Sequence, residues 1–331
     1  MAYIDSNLND PEDFFIVKLY TGNGGNQTIT GVGFQPDFVW FKTRDGTHAH
    51  ALVDDVSGTD KVIHSNTTQA EQSIANQTFN SDGYALVQDG TANSINSDGN
   101  SKVAWNWKES ATAGFDMVGY TGNATGRTIA HSLSAVPHFM FITNRDSATN
   151  NHVYHHKNTS APATDYLKLN DNSATADAAS VFNDTDPTSS VFSVGTGDGT
   201  NKNTDNIVAY LFSQKQGFSK FGTYYGNGNN DGSFVYLGFR PAFVMCKRSS
   251  DTGNWGMNDN KRDTINYTSH TCDANNSTDA DDVAIRTDLL SNGFKIRTDS
   301  SNWNASGSIY IFIAFAESPF VNSSGVPNNA R

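Results

Sequence analysis

Tyr20-Thr-Gly22-Asn23 is a short string that this chain repeats twice. It returns as Tyr120-Thr-Gly122-Asn123 and as Tyr224-Tyr-Gly226-Asn227. A proline before an apolar run and an alanine in a later apolar run recur with it, at Pro36, Pro137 and Pro241 and at Ala104, Ala209 and Ala314. Because landmarks that keep their order and spacing indicate an internal repeat, we predict three tandem modules of about 100 residues. Their bounds are 14–110, 111–218 and 219–320, between a leader (1–13) and a tail (321–331).

The residue pattern of each module indicates β-structure. An apolar run rich in β-branched and aromatic residues follows each of the three prolines, which suits the entrance of a strand. These runs are 38–42, 139–143 and 243–247. The closing run of each module is almost continuously apolar, which indicates a central strand covered on both faces. The closing runs are 103–107, 207–212 and 308–315.

The connections between these runs are rich in Gly, Asn, Asp and Ser, which favour tight turns. Only 67–74 offers a helix, of one or two turns, which is marginal alone. We therefore predict an all-β fold of three tandem antiparallel β-sandwich or jelly-roll-like repeats. Each module should fill its core from matched positions: Phe38, Trp40 and Trp105; Phe139, Phe141 and Tyr210; Phe243, Met245 and Phe315.

The composition is that of an ordered, acidic chain. Its 331 residues are 36% hydrophobic, and 34 acidic against 22 basic residues give a net charge of −12. This apolar content argues against intrinsic disorder, and the acidic balance argues against a nucleic-acid partner. No window approaches the roughly 18 apolar residues of a membrane span, and the first ten residues lack the features of a signal peptide. We expect no membrane insertion, no signal peptide, and free thiols at Cys246 and Cys272.

The longest repeated strings resemble a known family. The segment Phe15-Ile-Val-Lys-Leu-Tyr-Thr-Gly-Asn-Gly24, with 31–42, 103–108 and the ending 313–331, is similar to a repeated β-domain of tailed-bacteriophage virion proteins, especially of marine phages. Those proteins are usually labelled tail-fibre or tail-fibre-like, and the resemblance spans nearly the whole chain. It implies a protein made in the host cytoplasm and carried in the virion.

The resemblance implies a role in the phage particle. The first expectation is a structural tail-fibre or appendage subunit that contacts a host-surface receptor or glycan. A capsid decoration or head-fibre protein is one alternative, and a glycan-depolymerising tailspike is another. The residues favour the non-enzymatic reading, because the chain has no Gly-x-Ser-x-Gly, no His-Glu-x-x-His and no phosphate loop. We predict no enzyme activity and no cofactor.

Two groups of residues raise the question of a metal. Alternate histidines on equivalent strands could ligate a transition metal, although solvent-facing histidines are the favoured interpretation. They are His48 and His50 in module 1 and His152, His155 and His156 in module 2, where module 3 has Asn254, Trp255 and Asn258. An acidic cluster could hold Ca²⁺ or be a solvated connection. It comprises Asp273, Asp279, Asp281 and Asp282. We predict no metal.

Trp255 and Trp303 are the candidate ligand contacts. Both lie in polar surroundings rich in Gly, Asn and Ser. Exposed aromatic rings among amides suit carbohydrate recognition, and a loop anchor packed on its own sandwich is the alternative.

Assembly completes the sequence-based expectations. We expect a homotrimer with the modules strung along its axis, with a pseudo-symmetric monomer as the alternative. The leader 1–13 is too short to fold alone, so we expect it to be a docking arm that adds extended backbone to another virion protein.

Overall fold

The computed structural model describes residues 4–74, 77–87, 95–263, 265–278 and 282–328, and it confirms the all-β fold class. We keep the names module 1, module 2 and module 3 for 14–110, 111–218 and 219–320. The ladders that join the long strands of each module are antiparallel.

Nine strands are described in module 1. They are β1 (Phe15–Thr21), β2 (Gln27–Thr30), β3 (Phe38–Thr43), β4 (Ala51–Asp54), β5 (Lys61–Val62), β6 (Gln72–Ser73), β7 (Thr78–Asn80), β8 (Gly83–Leu86) and β9 (Ser101–Trp107). An inner sheet has the order β1-β9-β3-β4, and an outer sheet has the order β2-β8-β7. Strands β5 and β6 pair with each other.

Module 2 has the same layout with two short helices. Its elements are β10 (Phe115–Thr121), β11 (Arg127–Ala130), β12 (Phe139–Asn144), β13 (His152–His155), β14 (Asp165–Lys168), β15 (Ala176–Asp177), α1 (Ala179–Phe182), β16 (Val191–Val194), α2 (Asp198–Asn201) and β17 (Asn206–Phe212). The inner sheet has the order β10-β17-β12-β13-β14-β15, and β11 pairs with β16.

Module 3 joins its strands into one sheet. Its elements are β18 (Ser219–Tyr225), β19 (Phe234–Tyr236), β20 (Phe239–Arg248), β21 (Trp255–Asp259), β22 (Thr268–Asp273), β23 (Asp282–Leu290), β24 (Gly293–Ile296), α3 (Ser301–Asn304) and β25 (Ile309–Pro319). The order is β18-β25-β20-β21-β22-β23-β24-β19, so the first two strands are the two edges of that sheet.

The long strands pair in the same way in each module. The closing strand lies between the first strand and the strand that contains or follows the signature proline, namely β9 between β1 and β3, β17 between β10 and β12, and β25 between β18 and β20. The register sets Phe38 opposite Trp107, Phe139 opposite Phe212 and Phe243 opposite Phe315. The predicted central strands are confirmed, and nearly all their residues are buried.

The register corrects one predicted equivalence. Ala104 and Ala209 occupy matching positions, but the residue at that position of β25 is Phe312. Ala314 lies on the same strand, two residues further along. Because side chains alternate between faces with period two, a two-residue shift keeps the face and leaves the sequence pattern unchanged. Gly222 makes room for the larger ring, since a Cβ there would lie 2.7 Å from Phe312.

Each module has a small core of its own between its inner and outer strands. In module 3 the inner sheet is the β18-β25-β20-β21 part of the single sheet, and the outer strands are β23, β24 and β19. Representative buried residues are Val39, Phe41 and Tyr84 in module 1, Met140, Ile142 and Phe192 in module 2, and Val244, Phe294 and Phe312 in module 3.

The opposite faces of the three inner sheets meet in a second core that all modules share. Aromatic rings from each pair of modules are in contact there. Centroid distances are 4.8 Å for Phe38 and Tyr210, 5.7 Å for Phe212 and Phe315, and 5.8 Å for Trp105 and Phe243. All nine predicted core residues are buried in this shared core. Their burial was predicted correctly, but their assignment to three separate cores was wrong.

The shared core also overturns the expected arrangement of modules. The modules surround one centre and are not strung along an axis. Burial of apolar surface is the dominant favourable term in folding, and each aromatic ring buries a large area, so the inner sheets gain by facing each other.

The described part of the leader is folded onto the protein's own body. It forms two short 3₁₀ turns, Ser6–Leu8 and Pro11–Asp13. Leu8 is buried in the shared core. The Asn9 amide donates to Ser323 Oγ at 2.7 Å, and the Ser323 N–H donates back to Asn9 Oδ1 at 2.8 Å. The expectation of an extended docking arm is therefore wrong for residues 4–13.

The helix considered for 67–74 is also absent from the described residues, where β6 ends this segment. The three short helices lie elsewhere, at α1, α2 and α3.

Candidate functional site

The repeat signature closes the same turn in all three modules. Its tyrosine hydroxyl donates to a carbonyl in the segment before the closing strand, from Tyr20 to Ile95, from Tyr120 to Thr200 and from Tyr224 to Trp303. Its glycine lies against backbone, and an added Cβ would come within 2.2, 2.0 and 2.2 Å of a carbonyl oxygen at Gly22, Gly122 and Gly226. The signature is therefore structural.

Sequence reasoning missed the asparagine that completes this turn. Asn96, Asn201 and Asn304 are buried at matching places. Each accepts from the N–H of the signature asparagine, at 3.1, 3.0 and 2.8 Å for Asn23, Asn123 and Asn227. The spacing of these asparagines follows the repeat, which was the available signal.

A second set of matched residues joins the modules in a ring. Each donates to a backbone carbonyl of another module. The bonds run from His50 Nε2 to Asp273 at 3.1 Å, from Asn151 Nδ2 to His64 at 2.9 Å, and from Trp255 Nε1 to Lys168 at 2.8 Å. Module 1 thus bonds to module 3, module 3 to module 2, and module 2 to module 1.

Trp255 and Trp303 cannot be surface ligand contacts. Trp255 is fully buried in the shared core, and Trp303 is 2% exposed. Gly256 explains the second burial, because a Cβ there would lie 2.3 Å from the Trp303 ring. The polar sequence around them includes Gly256, which allows the close packing of Trp303, and the Trp255 indole makes one of the bonds between modules. The alternative of an anchor packed on its own sandwich holds for Trp303, which lies in module 3's own core, but Trp255 lies on β21 and packs in the shared core.

The interpretation of the histidines as solvent-facing is wrong for His50 and His155, which are fully buried and used for packing. His50 also accepts the Trp40 Nε1–H at 2.8 Å, and His155 Nε2 donates to the Phe312 carbonyl at 3.2 Å. Burial lowers the pKa of His50 well below its usual value and that of His155 to about 3. Burial likewise lowers the pKa of His152 and His156 to about 4. These rings are therefore neutral at pH 7.

Buried carboxylates make equivalent contacts between modules. Asp54 and Asp259 stand opposite Phe38 and Phe243, the position that His155 takes in module 2. The Tyr210 hydroxyl donates to Asp54 at 2.6 Å, and Trp105 Nε1 donates to Asp259 at 3.2 Å.

A gap between the first and second strands recurs in all three modules. We name these gaps seam 1 (β1 and β2), seam 2 (β10 and β11) and seam 3 (β18 and β19). The two strands at a seam are not paired through their backbones, although every residue in them is described. One side-chain bond crosses near the turn in each case. The side chains of Gln27, Arg127 and Ser233 donate to the backbone carbonyls of Thr21, Thr121 and Tyr225, respectively.

Seam 3 opens into a groove of about 700 Å³ that module 2 completes. Three large aromatic side chains at it are exposed, with Tyr225 at 65%, Phe234 at 47% and Tyr236 at 54%. The Lys220 ammonium donates to the Tyr236 carbonyl at 2.8 Å and lies 5.3 Å from the Tyr236 ring centroid.

Module 2 forms the facing wall of this groove. It supplies His138, His156, Lys157 and Gln214. The two imidazole rings are 4.5 Å apart, and His156 Nε2 donates to the Phe221 carbonyl at 3.0 Å. Among the described residues, those that line the groove include two lysines and no Asp or Glu.

Seam 2 has the opposite charge at matching positions. The strand registers match Asp37, Asp55 and Glu109 of module 1, which lie at seam 2, with His138, His156 and Gln214 of module 2, which lie at seam 3. Asp116 of β10 accepts from the Ser132 N–H at 2.6 Å and from its hydroxyl at 2.8 Å, which ties the two edges together. Burial and then the neighbouring Asp116 raise the pKa of Glu109 to about 8.

Seam 1 has a smaller groove. The described residues that line it include neither exposed aromatic rings, as at seam 3, nor a group of carboxylates, as at seam 2. Its groove of about 330 Å³ is lined by β1, Gly31 and Lys261 of module 3. Lys261 stands where module 2 has Lys157 and module 1 has Val56, and it lies 3.5 Å from the Glu12 carboxylate. Seam 3 is therefore the best candidate site in the described chain.

No group of three or more His, Cys, Asp or Glu side chains in the described residues is placed to hold a metal. Asp279, Asp281 and the side chain of Asp282 lie outside those residues. The fourth member of the proposed calcium cluster, Asp273, accepts from the amides of Asn254 at 2.7 Å and Asn276 at 2.9 Å.

Both cysteines are free and buried, as expected. Burial raises the pKa of the Cys246 thiol and that of Cys272, the latter to about 11. None of the helices in the part of the chain that the structure describes is long and apolar enough to cross a membrane.

Comparison with known proteins gives a family but no activity. No curated protein matches the chain. A family model described as a domain of unknown function, DUF7483, matches residues 10–319, and the chain therefore belongs to that family.

Proposed function

We propose that this protein is a non-enzymatic structural subunit of a tailed-phage virion, a tail fibre or appendage that contacts the host surface. The resemblance of the repeated strings to tail-fibre-like proteins suggests the setting. The observation that carries the non-enzymatic part is the use of the central histidines and carboxylates. His50, His155, Asp54 and Asp259 all bond across module boundaries. Groups bonded in this way hold the three modules together and are not available to a substrate.

The arrangement around one core changes the assembly that we propose. A homotrimer was expected because the modules were to be stacked as layers, and the shared core removes that reason. Three similar modules around a centre already satisfy an approximate threefold symmetry within one chain. We therefore propose a monomer, for which light scattering at micromolar concentration should give the mass of one chain, 35.9 kDa. A stable species of three times that mass would overturn it.

The same feature favours a second candidate function. A single chain with approximate threefold symmetry fits a threefold position of a capsid lattice, where a decoration or head-fibre protein would bind.

Imaging of labelled virions separates these functions. Density for this chain on the tail supports the fibre or appendage, and density on the capsid lattice supports decoration. Absence from purified particles contradicts both. Release of sugar ends from host polysaccharide by the purified chain would contradict the non-enzymatic assignment and support a depolymerising tailspike.

A further inference from the structure

We infer that the groove at seam 3 binds an acidic saccharide. The inference names a ligand class for the proposed host-surface contact and rests on that function for its biological setting. Its evidence is the wall structure of the groove, and Trp255 and Trp303 play no part in it.

The aromatic side chains give the first step of the argument. Phe234 and Tyr236 alternate with buried Val235, so both rings project from the same face of β19. They lie about 7 Å apart along the strand, and exposed Tyr225 stands at the other edge of the seam. Exposed rings grouped at one concave place indicate a binding surface, whereas isolated exposed apolar residues need no explanation. Such rings can pack on the CH faces of sugars while neighbouring polar groups bond to hydroxyls.

Charge gives the second step. The chain has 34 acidic residues and a net charge of −12. The groove nevertheless has Lys157 and Lys220, and none of its described lining residues carries a carboxylate. At seam 2 the matching wall carries Asp37, Asp55 and Glu109. The two lysines attract an anion, whereas carboxylates like those at seam 2 would repel it. The groove therefore favours an anionic ligand over a neutral one.

Hydrogen bonding gives the third step. Gln214 and Lys157 are exposed on the wall from module 2, and Thr223 is exposed on β18. These side chains bring amide, ammonium and hydroxyl groups from two modules to the groove. A groove of about 700 Å³ with such a mixture has the size of a small-ligand site.

The test is binding of the purified full-length chain to an array of oligosaccharides. The array holds carboxylated, sulfated and phosphorylated sugars beside neutral sugars of equal length, and calorimetry follows on the best binder. We expect binding to at least one acidic class and none to its neutral counterpart. The affinity should fall as salt rises from about 0.05 to 0.5 M, since screening weakens exposed charge pairs.

Matched variants locate the site. Tyr236→Ala and Lys157→Glu should each weaken binding by about tenfold or more. Tyr267→Ala and Lys108→Glu remove a comparably exposed ring and a comparable charge elsewhere, and binding should be unchanged. Circular dichroism verifies that each variant is folded.

Several results would overturn the inference. These are no binding to any acidic sugar, equal binding to neutral sugars, and unchanged binding in the triple variant Tyr225→Ala, Phe234→Ala, Tyr236→Ala. Failure here leaves the virion proposal untouched, because imaging decides that separately. Binding to sugar by a chain absent from virions would keep this inference and remove the proposed setting.

Discussion

Seam 2 and seam 3 occupy matching places in modules 2 and 3 and have opposite chemistry. At seam 2, Asp116 closes the gap through two bonds to Ser132, and carboxylates from module 1 crowd beside it. At seam 3, Lys220 takes the place of Asp116 and the gap widens into a groove with three exposed rings. The comparison shows that repeats can keep a common framework while their seams diverge, since the framework residues lie in the cores and the divergent residues lie at the edges.

The largest expected effect tests whether both seams rest on one cooperative body. Trp105→Ala should lower the free energy of unfolding by about 3–5 kcal/mol, because it removes a buried ring from the shared core. Calorimetry should still show one transition at a lower temperature, since all modules contact that core. Separate transitions for individual modules would contradict the shared-core interpretation.

The next effect compares the two bridging residues directly. Asp116→Ala should cost about 1–3 kcal/mol, because it removes two hydrogen bonds that the buried Asp116 carboxylate accepts from Ser132. Lys220→Ala should cost less than about 1 kcal/mol, because its amine is partly exposed. Chemical denaturation measures both. Equal losses would show that the seams are held to the same degree.

The titrating groups at the two seams should change the stability of the protein with pH in opposite directions. The folded state raises the pKa of Glu109 to about 8, so it binds more protons than the unfolded chain between about pH 4.5 and 8. Stability should therefore fall as pH rises through this window, and Glu109→Gln should flatten the fall.

At seam 3 the sign is reversed. Burial lowers the pKa of His156 to about 4, so the folded state binds fewer protons between about pH 4 and 6.5. This residue should make stability rise with pH in that window, and His156→Gln should remove its contribution. Melting temperatures of the two variants across pH 4 to 9 give the measurement. If the two substitutions changed the slope of melting temperature against pH in the same direction, the opposite pKa shifts given for Glu109 and His156 would be contradicted.

The smallest effect exchanges one matched residue between the seams. Val56 lies over Gly119 at seam 2, where a Cβ on the glycine would be 2.9 Å from it, and Lys157 takes this position at seam 3. Val56→Lys should leave stability nearly unchanged and lower the pKa of Glu109, because it adds a cation beside carboxylates. Carboxyl titration by NMR follows the change. An unchanged pKa of Glu109 would place the lysine away from seam 2.

Some features were determined by the sequence because they depend on local patterns. The apolar closing runs predicted central strands, and the signature glycines predicted shared turns, since each reflects the preferences of neighbouring residues. The nine core residues were predicted to be buried, and they are. The candidate site was not predicted, because Tyr225, Phe234 and Tyr236 alternate with apolar residues like ordinary strand residues.

Only the tertiary structure decided which face of each inner sheet meets which partner. Both faces are apolar, so the pattern alone does not distinguish a module's own core from a core shared with two others. Trp255 illustrates the point, because its bond goes to the backbone carbonyl of Lys168, a group that every residue carries. The repeat, the turns and the buried positions were thus set locally by the sequence. The shared core and the chemistry of the seams arise where distant segments meet, and no local pattern encodes that meeting.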